Sequence, residues 1–143
     1  MYTIDIKSSN ICLNHGNTLS IGFWLAKKDA GFVITPGKDK VYAVIRDGTG
    51  TVIFSKTYDV VEVPQVSGSR YKWTFAMSFA DSEKILPGQY TWDYTYFQNA
   101  TVDTGGKPTG GAFVTTPSAV RRFTVMKVAS DTSEHAGAIN WSI

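Results

Sequence analysis

Cysteine is all but absent. Cys12 is the single one among 143 residues, so no disulfide can close within the chain and the fold must stand on its packing. Histidine is nearly as scarce, with only His15 and His135, both in polar, turn-like stretches. Zinc needs several Cys and His at short spacing, and calcium loops need a regular ladder of acids; neither pattern is present, so no metal or cofactor is expected. Charge is thin at 18%, and fourteen Lys and Arg against twelve Asp and Glu leave a net charge of +2. The tight basic pair Arg121-Arg122 is too short for a phosphate-tracking footprint, which argues against nucleic acid. No apolar run approaches the roughly 20 residues that span a bilayer. The start, MYTIDIKSSN, alternates instead of carrying a signal-peptide core, so synthesis in a cytoplasm without a signal peptide, and no membrane insertion, are expected.

Catalytic patterns are missing too. There is no G-x-S-x-G elbow and no clear nucleophile–base pair. "GGKPTGG" at 105–111 is not a phosphate loop, since no [ST] and no helix follow its lysine. Asp93 is the best candidate for a paired-carboxylate site. By alternation it shares a face with Thr91 and Thr95, opposite an aromatic row, which reads as a solvated residue or one paired with a neighbouring Lys or Arg. Cys12, between Ile11 and Leu13, reads as a small buried packing residue. The Asn99 and Asn140 triplets match glycosylation sites by chance. No catalytic residue is expected, and the chain is read as a non-enzyme.

What the sequence does have is aromatic side chains, 13% of it, with many Tyr, Thr, Val and Gly, a composition that favours strands. Tyr2, Ile4 and Ile6 alternate with polar residues; "LSIGFWLA" sets Leu19, Ile21, Phe23 and Leu25 on one face and Trp24 on the other. "KVYAVIRD", the turn "DGTG" and "TVIFSKTYDV" form a hairpin, with Val41, Ala43 and Ile45 on one face. "DSEKILPG" is the one helical turn, capped by Asp81 or Ser82 and closed by Pro87-Gly88. "DTGGKPTGGA" is a flexible loop or long hairpin tip without a ligand role. Seven to eight strands with at most one short helical turn predict an all-β fold, a single antiparallel β-sandwich of immunoglobulin-like type. The sandwich is expected over 1–130, followed by a C-terminal tail over 131–143.

Two aromatic rows decide what such a sandwich can do. Tyr71, Trp73, Phe75, Met77 and Phe79 fall on one face, and Tyr90, Trp92, Tyr94 and Tyr96 on another. Packed together they make a core layer. Exposed, Tyr90–Tyr96 with Asp93 or Asn99 would make a carbohydrate-binding platform, which is the alternative reading. Trp24 and, in the uncharged tail, Ile139, Trp141 and Ile143 are the interface candidates, because Trp is enriched where proteins dock.

The order "GNTLSIGFWL", "DKVYAVIRDGTGTVIFSKT", "YKWTFAMSFADSEKILPGQYTWDYTYF", a glycine-rich loop and "RRFTV" resembles the N-terminal β-sandwich domain of phage baseplate upper proteins and related tail-associated modules. The likeness runs from Gly16 to Val128, and the Pro87-Gly88-Gln89-Tyr90 strand start carries most of it. It implies an Ig-like structural module of a phage or prophage tail or baseplate, located in the virion after synthesis in the bacterial cytoplasm. Its partners would be copies of itself or other tail and baseplate proteins. The 102–118 loop is long for that pattern, and no coiled coil follows Val128.

Overall fold

The computed structural model describes residues 4–6, 10–27, 33–66, 68–110, 112–115 and 121–127. His135, Asn140 and the tail candidates Ile139, Trp141 and Ile143 lie outside the described residues. The described strands are β1 (Ile4–Ile6), β2 (Ile11–Asn14), β3 (Leu19–Lys27), β4 (Lys40–Arg46), β5 (Val52–Asp59), β6 (Val61–Gln65) and β7 (Gly68–Met77). After helix α1 (Phe79–Glu83) come β8 (Gly88–Gln98), β9 (Thr101–Val102), β10 (Pro108–Thr109), β11 (Ala112–Thr115) and β12 (Arg121–Met126).

One sheet has the order β1-β3-β7-β6 and the other β2-β12-β8-β4-β5, with β11 also against β8. These are the A-B-E-D and G-F-C-C′ orders of an immunoglobulin-like sandwich. Twelve strand segments are described where seven to eight are expected, because β2, β6, β9, β10 and β11 lie outside the strands read from the sequence. β1 pairs antiparallel with β3 in one sheet, while β2 pairs with β12 in the other. That second pairing is parallel, and the other described pairings are antiparallel. β11 and β12 take opposite ends of β8.

The two aromatic rows meet between the sheets, except Phe79, which starts α1 instead of continuing β7 and is 61% exposed. Trp73, Phe75 and Tyr96 are fully buried and Trp92 is 1% exposed. Phe75 and Trp92 lie 5.0 Å apart between ring centroids, and Phe23 on β3 lies 5.2 Å from Trp73 and 5.7 Å from Trp92. Tyr90, at the start of β8, donates its hydroxyl to the Leu86 carbonyl at 2.6 Å. That is the tyrosine corner of such sandwiches, in which the residue two places on is the second disulfide cysteine. Here that place holds Trp92, tilted against Phe23, so an aromatic pair occupies the position of the missing disulfide. Tyr90→Phe keeps the ring and loses the bond. It should cost about 1 kcal/mol, the usual net worth of one hydrogen bond, with no change in denaturant m-value.

The local devices are mostly short. At the β4–β5 turn, Asp47 accepts from the Thr49 hydroxyl at 2.6 Å, the Thr49 amide at 2.9 Å and the Thr51 amide at 3.1 Å. These bonds, the hydroxyl's first, hold its carboxyl below the usual range. Gly50 takes φ +86°, which an L side chain resists. The helix cap differs from expectation. Ser78 caps α1, accepting from the Asp81 amide, while Asp81 at the third helical position accepts from the Ser78 amide. An S-x-x-D pair satisfies two orphan amides at once, which neither Asp81 nor Ser82 could do from inside the turn. Ser82 instead is buried and bonds the Asn17 carbonyl at 2.6 Å, tying α1 to the β2–β3 turn.

Cys12 is also a correction. It is exposed on the outer face of β2, its Sγ 3.2 Å from Met126 Sδ. Ile11 and Leu13 take the core at 3% and 6% exposure, and the two-residue period then forces the residue between them outward.

Candidate functional site

The site has to be sought outside the aromatic rows, because the fold consumes them. Trp92, Tyr94 and Tyr96 are buried and Tyr90 is half-buried, so the row cannot serve as the open platform of the carbohydrate reading. Asp93 lies on the outer face of β8, as its parity requires, and its Oδ2 pairs with Arg46 Nη1 at 2.8 Å. His15 donates Nε2–H to the Glu83 carbonyl at 2.9 Å. Asn99 takes φ +53° just past β8, and its amide is bound by Asp39. Among the described residues no cluster of three or more His, Cys, Asp or Glu could hold a metal.

Trp24 stands on the outer face of the β1-β3-β7-β6 sheet, half-buried. The Arg70 guanidinium sits 3.9 Å from its ring centroid and the Lys72 ammonium 5.9 Å. The cations come from β7, which pairs Lys72 with Trp24 in register. A partner approaching Trp24 would meet a guanidinium stacked on it before the indole itself.

Asp39 was missed in the sequence. It is fully buried, just before β4. Its Oδ2 accepts from the Tyr96 hydroxyl at 2.6 Å and the Thr35 amide at 3.0 Å, and its Oδ1 from the Asn99 amide at 3.1 Å. Burial first, then the bond to Asp39, raises the Tyr96 phenol far above its ordinary pKa, so it stays protonated and donates. The available signal was the tyrosine ending the aromatic row, whose hydroxyl needs a partner once buried.

From this anchor the chain turns into the β9–β10 hairpin. Its tip is organised: Asp103 Oδ1 accepts from the Gly105 and Lys107 amides, both at 2.9 Å. The hairpin reaches β5, where the Thr57 hydroxyl bonds the Gly106 carbonyl at 2.5 Å. Between them lies an open groove of about 400 Å³. Ser55, Thr57 and Asp59 of β5 form one wall, and Val102 and Gly106 of the hairpin the other. Lys40 and Lys56 also line it. Lys40 Nζ is committed to Asp59 at 2.5 Å and to the Gly37 carbonyl at 3.0 Å. Lys56 has a looser tie, 3.9 Å to Asp81, and its side chain is half exposed. By register Lys56 shares the inner face with Tyr58, so the groove face itself offers hydroxyls, one exposed apolar side chain and the Lys40–Asp59 pair.

No family model matches the chain, and no curated protein matches it. Among solved structures it is similar to MtrC from Shewanella baltica, at 17% identity and a TM-score of 0.41. The match covers 88% of this chain and 22% of that one. A likeness that shallow bears on neither the fold nor the function of this chain.

Proposed function

We propose that this chain is a non-enzymatic assembly module that works by protein–protein contact, within a phage or prophage tail or baseplate. The observation that carries the contact reading is the use to which the reactive-looking and aromatic residues are put. The aromatic rows form the core, Asp93 is neutralised by Arg46, Asp39 holds a turn, and His15 binds a backbone carbonyl. What faces outward is sheet edge, half-buried sheet face and a structured hairpin, the surfaces by which sandwiches join other proteins. The placement in a tail rests on the motif order from Gly16 to Val128. Partners are other tail or baseplate proteins or copies of this chain, and the location is the virion.

The test is deletion of the gene in its own genetic background, with particles counted and imaged by electron microscopy. Absent or truncated tails, restored by the gene in trans, are expected. Normal, infective tails would contradict the proposal.

A further inference from the structure

We propose that the outer face of the β1-β3-β7-β6 sheet, at Trp24, Arg70 and Lys72, docks an acidic segment of a partner protein. This rests on the assembly reading above and names its surface and the partner's chemistry. The register brings the three side chains together. Lys72 on β7 stands opposite Trp24 on β3 and, on its other side, opposite Val61 on β6. Arg70, two residues back along β7, shares that face and stands opposite Val63. Trp24 and Lys72 are half-buried, Arg70 is exposed, and Val61 is 43% exposed. An indole, two cations and two valines therefore share a face that the core does not use.

The charges select the occupant. On the other sheet each cation is answered, Lys40 by Asp59, Arg46 by Asp93 and Lys56 by Asp81 of α1. Among the described residues, neither Arg70 nor Lys72 has a carboxylate in ion-pair reach or a side-chain hydrogen bond. Glu62 of β6 stands opposite Tyr71, on the other face, and accepts from the Ser69 hydroxyl. Asp5 shares the outer face by register, but on β1, two strands away from β7. Stacking prepares Arg70 for a carboxylate. Its guanidinium lies 3.9 Å from the Trp24 ring centroid, which fixes the plane and leaves the charge in place. The N–H groups project from the edge of that plane, where a carboxylate can take two parallel bonds with little further ordering. Lys72 adds a second cation 5.9 Å from the same ring. A basic segment would be repelled by both. Two cations track too little backbone for a nucleic acid, and the valines suit a polypeptide. Trp and Arg are also the side chains that most often carry docking energy.

The test uses the full chain, isotopically labelled for NMR, and two synthetic ten-residue peptides, one alternating Glu with Thr and the other Lys with Thr. The Glu peptide should shift the Trp24 indole N–H and the amides of residues 70–72. It should bind about tenfold tighter than the Lys peptide, and less tightly as salt is added. Arg70→Gln and Lys72→Gln together should abolish that preference. Arg70→Lys, which keeps the charge and loses the fork, should retain it only in part. A single-stranded oligonucleotide of ten nucleotides should bind more weakly than the Glu peptide. Shifts confined to other surfaces, no preference between peptides, a preference that survives the double variant, a tighter oligonucleotide, or no binding at millimolar concentration would overturn the proposal. If tails fail without the gene while this face ignores both peptides, assembly stands and this face is not an acidic dock.

Discussion

Trp73→Ala should lower the stability by about 3–5 kcal/mol, the range for removing a large aromatic from a core. Trp73 has no exposed surface and lies within 6.3 Å of Phe23, Tyr58, Phe75, Trp92 and Tyr94 by ring centroids. With no disulfide to limit the unfolded chain, this stack is the tie between the sheets, and rigid strands on both sides limit collapse into the cavity. Its indole N–H is buried without a hydrogen-bond partner, so Trp73→Phe gives up volume but no hydrogen bond. That change should therefore cost far less than the alanine. Denaturant melts of both variants read the difference. A loss under about 1 kcal/mol for Trp73→Ala would mean that the row is not the core tie.

Asp39→Asn should cost about 3 kcal/mol or more. The carboxylate serves three donors: the Tyr96 hydroxyl, the Thr35 amide and the Asn99 amide. A carboxamide has one oxygen and one NH₂, so the NH₂ must face at least one of those donors. An orphaned buried donor costs about 1–3 kcal/mol, and bonds to a charged acceptor are the stronger kind. Tyr96→Phe should be cheaper alone, and the two changes together should cost clearly less than their sum, because they break one shared bond. Additive losses would show that the Asp39–Tyr96 bond contributes nothing of its own.

These two residues also mark how far the sequence could be read. The Trp73 row was legible because both of its strands alternate without a gap, and a two-residue period has only one way to bury so many rings. The β4–β5 hairpin was legible from D-G-T-G, since Gly50 needs its positive φ. Asp39 was not legible: its partners Tyr96 and Asn99 are 57 and 60 residues away, and a lone acid after Pro-Gly looks like a surface charge. The strand β2 was hidden for a related reason. Parallel pairing of β2 with β12 uses no hairpin and leaves no turn signal between them. Cys12 was misassigned by its apolar neighbours, when those same neighbours, by parity, turn it outward. Of the candidate site, Asp93 could be placed from alternation, but the groove could not, because it is built from β5 and a hairpin about fifty residues later.

The claim that the chain acts by protein contact is tested most directly by lysine cross-linking and mass spectrometry on intact tail particles from the strain that carries the gene. The account predicts that the chain is present in the particles, with cross-links from Lys72, beside Trp24, or from Lys40 or Lys107, around the β5 groove and its hairpin, to another polypeptide. Particles that lack the chain, or that contain it with only intrachain cross-links, would contradict it.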